Sequence, residues 1–246
     1  MILSSIHNLI YPATCCICGE RLVGDTPPIC PSCNLSLQRT GYERRPDDNS
    51  MARLFWQHTP FARAAAWVYY RPLSWNSQMI YHLKYGQSPE TGWTLGEMAA
   101  REMMAADFFE GMEVIVPVPL TGRRRRQRGY NQSEAIARGV ERATGLPVAK
   151  GALARRDFYS SQTRLDAFLR IENVRKAFVA KQPEKIRGRH VLLVDDVCTT
   201  GATLAACGAV LVRAGAADVS ALVLGFAGDA GVSPVGTNDP MGTDAV

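Results

Sequence analysis

The sequence predicts an α/β fold, in which a parallel sheet is flanked by helices, preceded by a small cysteine module. Two observations support the sheet. Short β-branched runs alternate with stretches of helical length, which is the order of elements that a parallel sheet with crossover helices produces. Residues 191–194 are apolar throughout, as expected for a strand buried on both sides. Five of the seven cysteines lie between Cys15 and Cys33, which predicts the separate module.

The elements of the larger domain follow one another in order. Asn131 suits a helix N-cap, whereas Gly145 and Gly215 suit positions just beyond helix ends. The predicted helices are residues 74–85, 95–106, 132–144 and 202–214. The predicted strands are residues 64–70, 114–118, 177–179, 191–194 and 219–224.

The division into domains follows from composition. Residues 1–45 are assigned to an amphipathic N-terminal helix and the cysteine module, and residues 46–60 to a polar linker. Residues 61–228 form the α/β domain. Residues 229–246 are rich in Gly, Pro, Thr and Asp, which predicts a disordered tail.

The composition indicates a globular protein. Hydrophobic residues make up 46% of the chain and charged residues 21%, and no apolar run is long enough to span a bilayer. The N-terminus lacks the basic start of an export signal, and His7 and Asn8 interrupt its apolar stretch. We therefore expect a cytoplasmic protein, with no membrane span, whose thiols stay reduced.

The end of the strand at residues 191–194 carries the strongest functional signal. Asp195 and Asp196 follow it, and ligands of open α/β sheets bind at the carboxyl ends of strands. An ionised carboxylate is a pure hydrogen-bond acceptor, so the pair suits a group with hydroxyls, such as a ribose. The alternative is a turn with two solvated aspartates.

A loop of small residues connects these carboxylates to the next helix. Thr199, Thr200 and Thr203 offer hydroxyl donors, and Gly201 lets a ligand approach the backbone closely. The start of the helix offers free N–H groups, which suit a phosphate. A ribose that carries a 5-phosphate needs both the carboxylates and this loop.

An arginine cluster follows the strand at residues 114–118. The cluster is predicted on a loop before the helix at residues 132–144, at the same sheet edge as the aspartates. Guanidinium groups fit phosphate oxygens well, so this cluster suits a polyanion, with a solvated basic surface as the alternative. Its members, Arg123, Arg124, Arg125, Arg126 and Arg128, fall within six positions.

Two further stretches are candidates for the same site. Lys84 lies at the end of a predicted helix, where it either contacts a ligand or only complements the helix dipole. The polar segment that contains Gln162, Arg170 and Asn173 is either a mobile lid or an ordinary surface loop.

The cysteines form two C-x-x-C pairs, Cys15/Cys18 and Cys30/Cys33, with eleven residues between the pairs. Two such pairs supply the four thiolates of a structural Zn²⁺ site. Cys16 is an alternative to Cys15 as a ligand. Redox pairs and buried thiols are the competing interpretations.

The stretch from Val191 to Leu204 resembles the signature with which type I phosphoribosyltransferases bind 5-phosphoribosyl-1-pyrophosphate (PRPP). Cys198 stands where an aliphatic residue is more usual. By this resemblance, Asp195 and Asp196 hold the ribose hydroxyls. Residues 199–203 would cradle the 5-phosphate. The ribose and 5-phosphate site as a whole then comprises the two aspartates with Val197, Cys198, Thr199, Thr200, Gly201, Ala202 and Thr203.

Taken together, the segments resemble the ComF/GntX family, whose members combine an N-terminal zinc ribbon with a type I phosphoribosyltransferase domain. The resemblance covers about residues 12–225, and Tyr130 stands where Phe is frequent. The matching segments, in the family's order, are the four paired cysteines, Tyr70-Arg71-Pro72-Leu73, Leu83-Lys84-Tyr85, Pro117-Val118-Pro119-Leu120, Arg128-Gly129-Tyr130-Asn131-Gln132, Gln162 with Arg170 and Asn173, and Val194-Asp195-Asp196 with Thr199-Thr200-Gly201.

This resemblance implies phosphoribosyl transfer from PRPP with release of pyrophosphate, assisted by Mg²⁺. Asp195, Asp196 and Arg128 would be catalytic, and Arg124, Arg128 and Lys84 would bind the pyrophosphate. The acceptor stays open, with a nucleobase as one candidate. The alternative is a non-catalytic protein that binds single-stranded DNA or competence proteins and uses PRPP as a regulatory ligand. A scaffold with an idle site is the third interpretation.

Overall fold

A four-stranded parallel sheet forms the centre of the protein, as predicted. The computed structural model describes residues 13–22, 28–56, 61–86, 88–156 and 177–228. The sheet order is β1-β6-β5-β2, and a separate antiparallel pair is formed by β3 and β4. The strands are Ala64–Tyr69 (β1), Val114–Pro117 (β2), Leu153–Arg155 (β3), Phe178–Ala180 (β4), His190–Cys198 (β5) and Asp218–Phe226 (β6).

Seven α-helices occur within the described residues, and most of them cover the sheet. Their bounds are Pro31–Ser36 (α1), Ser50–Arg53 (α2), Ser77–Tyr85 (α3), Pro89–Met104 (α4), Gly122–Arg128 (α5), Gln132–Thr144 (α6) and Ala202–Arg213 (α7). Short 3-10 helices lie at Tyr42–Arg44 and Pro183–Lys185. No helix of the described part is long and apolar enough to cross a membrane.

The helix predicted from residue 95 begins six residues earlier, at Pro89. Proline fits the first turn of a helix because its missing N–H would have no partner there. The resulting helix α4 packs closely on α6. A Cβ atom added at Gly139 would lie 2.0 Å from the carbonyl oxygen of Trp93, so only glycine allows this contact.

Strand β5 extends past Val194, where the sequence predicted its end. Its pairing with β6 continues from Asp195 and Val223 to Cys198 and Phe226. Val197 and Cys198 therefore lie in the strand, and their assignment to the ribose and 5-phosphate site stays a prediction. The loop itself begins at Thr199.

Part of the segment expected as a linker, residues 46–60, is packed into the protein. Asn49 caps helix α2 by accepting hydrogen bonds from the amides of Met51 and Ala52, at 3.0 and 2.9 Å. Met51 and Phe55 are 0% and 1% exposed. These buried side chains join the hydrophobic core, while the domain boundaries themselves stay a prediction.

The expected N-terminal helix, the tail at residues 229–246 and the lid candidates Gln162, Arg170 and Asn173 lie outside the described residues. The antiparallel pair β3–β4 stands at the two ends of the segment that contains the lid candidates. Strand β4 was predicted as residues 177–179, whereas β3 was not predicted.

Candidate functional site

Two adjacent carboxylates lie near the carboxyl end of β5. One oxygen of each is held by the backbone: the amide of Asp196 donates to Asp195 Oδ1 at 2.9 Å, and the amide of Val197 donates to Asp196 Oδ1 at 2.7 Å. Asp195 Oδ1 also accepts a hydrogen bond from the Ser133 hydroxyl at 2.8 Å. The second oxygen of Asp196 lies 3.3 Å from Lys84 Nζ.

The surroundings of Asp195 oppose the ionisation of its carboxyl group. Burial and the adjacent charge of Asp196 raise the pKa of Asp195 to about 7, although hydrogen bonds from Ser133 and the Asp196 amide oppose the rise. Perturbed groups of this kind cluster at functional sites. A ligand that donates hydrogen bonds, or brings positive charge, would favour the ionised form.

The predicted phosphate loop runs from Thr199 into helix α7. Thr199 and Thr200 are exposed, whereas Ala202 and Thr203 are half-buried. Gly201 has a φ of +74° and occupies the N-cap position without any side-chain cap. The first amides of α7 therefore face no capping side chain, which is the arrangement that suits a bound phosphate.

Cys198 lies beside this loop as a packing residue. Its side chain is buried, and burial raises the pKa of its thiol to about 12. A buried, neutral thiol replaces the aliphatic side chain more usual at this position without changing the apolar character of the site.

The arginine cluster forms a helix, so the prediction of a loop is wrong. Thr121 caps α5 by accepting a hydrogen bond from the Arg124 amide at 3.3 Å, and Gly129 ends the helix in the left-handed conformation. Arginine has a good helix propensity, which allows a short helix once both ends are capped. Strand β2 and this helix nevertheless bring the cluster to the predicted sheet edge.

The arginines differ in how they are held. Arg128 is half-buried, and its Nη1 donates to Gln132 Oε1 at 2.8 Å. Its guanidinium carbon also lies 5.8 Å from the centre of the Tyr85 ring. Arg124, by contrast, is exposed, like its neighbours in the cluster. The structure therefore distinguishes Arg128 as the fixed cation of the group.

Lys84 joins this group from the last turn of α3. The sequence left open whether it serves only the helix dipole, and the structure brings its ammonium group to Asp196. The hydroxyl of Tyr130 donates to the carbonyl oxygen of Leu83, which ties the chain after the arginine helix to the helix of Lys84. Asp196, Lys84 and Arg128 are thus linked through neighbouring segments.

Ser133 was not recognised from the sequence as part of the site. It lies 62 residues before Asp195, yet its hydroxyl reaches that carboxylate. The one available signal was its position at the start of a helix that follows the arginine cluster. That signal is weak, because serine is common in the first turn of helices for local reasons.

The four paired cysteines come together as predicted. The sulfur atoms of Cys15, Cys18, Cys30 and Cys33 all lie within 4.8 Å of one another. Backbone amides support them, since the amide of Cys30 donates to Cys15 Sγ at 3.3 Å and that of Cys33 to Cys30 Sγ at 3.4 Å. This arrangement is compatible with a zinc ribbon.

Cys15 and Cys16 differ in their surroundings. Burial raises the pKa of Cys15, but hydrogen bonds from the amides of Cys18, Cys30 and Ile17 outweigh it and lower the pKa to about 7. Burial and the neighbouring thiols raise the pKa of Cys16 to about 12. The sulfur atom of Cys15 belongs to the group of four, whereas that of Cys16 does not, so Cys15 is the residue that fits a Zn²⁺ ligand.

Comparison with known proteins agrees with this geometry. The model of the phosphoribosyl transferase domain family matches residues 95–234. The DNA utilization protein YhgH of Escherichia coli (strain K12) is 30% identical over 208 residues, which cover 83% of this chain and 86% of that protein. Competence protein F of Haemophilus influenzae is 34% identical over 108 residues, which cover 44% of this chain and 47% of that protein.

Among solved structures, the glutamine PRPP amidotransferase from B. subtilis, complexed with ADP and GMP, is 24% identical with a TM-score of 0.41. The match covers 58% of this chain and 30% of that chain, so this chain spans under a third of that protein's length. The family match and the parallel sheet together confirm the predicted type I phosphoribosyltransferase fold. With YhgH matched along most of its length, the chain belongs to the ComF family of phosphoribosyltransferase-domain proteins.

Proposed function

We propose that this protein binds PRPP at the carboxyl edge of β5 and transfers its phosphoribosyl group to an acceptor. The observation that carries the proposal is the pair Asp195 and Asp196, each with one oxygen held by a backbone amide. Asp195 Oδ2 is then available to accept hydrogen bonds from the ribose hydroxyls, and Asp196 Oδ2, which lies 3.3 Å from Lys84 Nζ, has room for a second donor. The uncapped start of α7, after Gly201, would receive the 5-phosphate.

In this reaction, the bond between ribose C1 and pyrophosphate breaks, and a bond forms between C1 and the acceptor, which loses a proton. Negative charge grows on the departing pyrophosphate. Fixed cations at that position stabilise the transition state more than the ground state. Arg128 is the best-held candidate, since Gln132 orients its guanidinium, while Lys84 and the exposed Arg124 would add charge.

The carboxylates also fit the predicted Mg²⁺, a hard cation that prefers oxygen ligands and substrate phosphates. Asp195 and Asp196 are the residues that would hold it beside the ligand. When bound, Mg²⁺ would neutralise charge on the pyrophosphate. Lys84 already supplies one positive charge at Asp196.

The test is calorimetry of PRPP binding with Mg²⁺ on the wild type and on the double variant Asp195→Asn/Asp196→Asn. We expect binding by the wild type and loss of binding by the variant. Asp218→Asn is the matched control, because Asp218 is exposed at the opposite end of the sheet, where β6 begins. A folded wild type that does not bind PRPP would remove the proposal.

Catalysis is tested separately from binding. Purified protein with PRPP, Mg²⁺ and a panel of nucleobases and amines should release pyrophosphate only with the true acceptor. Arg128→Ala should slow this release more than it weakens PRPP binding, because the arginine acts on the leaving group. Tight binding without release with any acceptor would favour PRPP as a regulatory ligand.

A second function, binding of single-stranded DNA, is favoured by one surface. On α3, Tyr81 and Tyr85 are 59% and 53% exposed, and the centres of their rings lie 4.8 Å apart. Arg128, at the end of the arginine helix α5, reaches the Tyr85 ring. Exposed aromatic rings beside a basic track are the features with which proteins hold single strands. The names of the DNA utilization and competence relatives are in keeping with this candidate.

To test it, single-strand binding is measured against salt concentration for the wild type, Tyr81→Ala/Tyr85→Ala and Trp56→Ala. Trp56 is equally exposed but belongs to another segment, which makes it the control. We expect affinity to fall steeply with salt, and the tyrosine variant to bind about tenfold more weakly or worse, since each stacked base contributes about 1–3 kcal/mol. If the double tyrosine variant binds single strands as tightly as Trp56→Ala, this surface is not the binding site.

A further inference from the structure

Ser133 is a buried polar residue whose hydroxyl forms a hydrogen bond with a residue far away in the sequence. The residue is 2% exposed, at the second position of α6, and its hydroxyl donates to Asp195 Oδ1 at 2.8 Å. Serine at this point of a helix usually needs no distant partner. Here the partner is one of the two carboxylates proposed to hold the ribose, on a strand at the centre of the sheet.

The backbone of Ser133 is connected to the end of β2 through Asn131. Its amide donates to Asn131 Oδ1 at 3.2 Å, and the amide group of Asn131 donates to the carbonyl oxygen of Val118 at 3.0 Å. Asn131 thus ties the start of α6 to the end of β2, the neighbour of β5 in the sheet. The serine hydroxyl is therefore held at a fixed position relative to Asp195.

Ser133 and the Asp196 amide donate to the same oxygen of Asp195. Two donors fill the acceptor capacity of Oδ1 and fix the plane of the carboxylate. The other oxygen, Oδ2, is then the one left for a ligand. Without the hydroxyl, a single backbone amide would hold the group, and the carboxyl group could rotate about its last bond.

We propose that Ser133 is a positioning residue, which orients Asp195 toward the ribose of PRPP. This inference rests on the proposed function, because the ribose is the group that Asp195 would hold. The start of α6 then has two roles. Gln132 orients the cation for the leaving group, and Ser133 orients the carboxylate for the sugar.

The test measures PRPP affinity by calorimetry with Mg²⁺ for the wild type, Ser133→Ala, Ser133→Thr and Ser133→Val. Ser133→Ala removes a hydrogen bond to Asp195 and should bind PRPP about tenfold more weakly than the wild type. Ser133→Thr keeps the hydroxyl and should restore most of the affinity. Ser133→Val has the shape of the threonine variant without its hydroxyl, so it should bind as weakly as Ser133→Ala.

Equal affinity of Ser133→Thr and Ser133→Val would overturn the inference, because these two variants have the same shape and differ only in the hydroxyl. Thermal unfolding checks that all three variants are folded. The wild type tests PRPP binding itself. A wild type that does not bind PRPP removes the proposed function, whereas a wild type that binds no more tightly than Ser133→Ala overturns only this inference.

Discussion

Gly201 sets the shape of the phosphate loop at a single backbone position. Its φ of +74° lies in the left-handed region, which favours glycine. A Cβ atom there would also lie 2.9 Å from Cε1 of the buried Phe55 ring and 3.4 Å from Leu54. Conformation and close packing therefore both require glycine, and the packing partners come from the segment around helix α2.

Gly201→Ala should destabilise the protein by more than Gly145→Ala. Gly145 has nearly the same φ, +75°, but nothing lies within 4 Å of an added Cβ. Alanine at Gly145 therefore costs only the backbone strain, about 1 kcal/mol. Gly201→Ala adds overpacking against Phe55, which brings the loss to about 2 kcal/mol or more. Urea unfolding of both variants checks this, and equal losses would contradict the packing argument.

The residues of the site were predictable to different degrees. Asp195, Asp196 and Gly201 lie in one short stretch, so their chemistry could be interpreted locally. Ser133 could not be assigned, because its partner lies 62 residues away. The family resemblance singled out Arg128 as catalytic, but the arginine cluster alone could not, because the burial that sets Arg128 apart from Arg124 depends on Tyr85 and Gln132 in the folded chain.

At the scale of elements, Arg39 connects the cysteine module to the α/β domain. Its guanidinium forms two hydrogen bonds with Glu102 of helix α4, at 2.7 and 2.8 Å, and stacks 4.7 Å from the centre of the Trp67 ring of β1. Trp67 Nε1 also donates to Glu102 at 2.8 Å. Arg39 further bonds to Asn34 of helix α1, so three elements meet at one side chain.

Glu102→Ala should therefore cost more stability than Glu97→Ala. Glu97 forms an ordinary exposed pair with Arg101 on the same helix, worth about 0.3–0.5 kcal/mol. Glu102 accepts from both Arg39 and Trp67, so its loss should cost about 1 kcal/mol or more. Thermal unfolding of the two variants is the measurement. Similar melting temperatures would mean that the contact does not hold the module.

The contribution of Glu102 should depend on pH. Burial alone would raise its pKa, but hydrogen bonds from Arg39 and Trp67 outweigh burial and lower the pKa. A lowered pKa means that the stabilisation is present above about pH 4.3, the ordinary glutamate value, and is lost as the pH falls below it. The difference in melting temperature between the wild type and Glu102→Ala should therefore shrink in acid.

Elements with strong periodicity and clear caps were predicted well. The helix Gln132–Thr144 was predicted with both ends, because Asn131 and Gly145 mark them. The helix of the arginine cluster was missed, since consecutive arginines show no apolar periodicity. The end of β5 was placed too early, because two aspartates suggested a turn where pairing with β6 continues.

At the scale of the whole molecule, one hydrophobic core runs from the cysteine module to the sheet. Cys15, Ile29 and Leu37 belong to the same buried cluster as Met51 and the strands. The segment predicted as a linker, residues 46–60, contributes Met51 to this cluster, while the domain boundaries stay a prediction. Composition alone could not show this continuity, because the residues around Met51 become buried only when the chain folds back on the sheet.

Because the core is shared, loss of the metal should destabilise the entire protein. We expect about one Zn²⁺ per chain, with Cys33→Ser losing the metal and unfolding at a lower temperature. Cys16→Ala is the control and should keep the metal, since its thiol is absent from the cluster of four. Metal analysis and calorimetry check both variants. Retention of full stability by metal-free Cys33→Ser would show that the ion is dispensable for folding.

The antiparallel pair of β3 and β4 has a consequence for how the length of this fold can vary. Arg155 pairs with Phe178, and the amide of Arg156 donates to the carbonyl oxygen of Ala177 at 2.7 Å, so the chain on either side of residues 157–176 is held together. The entropy of closing a segment between two such ends changes only slowly with its length. Insertions or deletions within residues 157–176 should therefore change the free energy of unfolding only slightly.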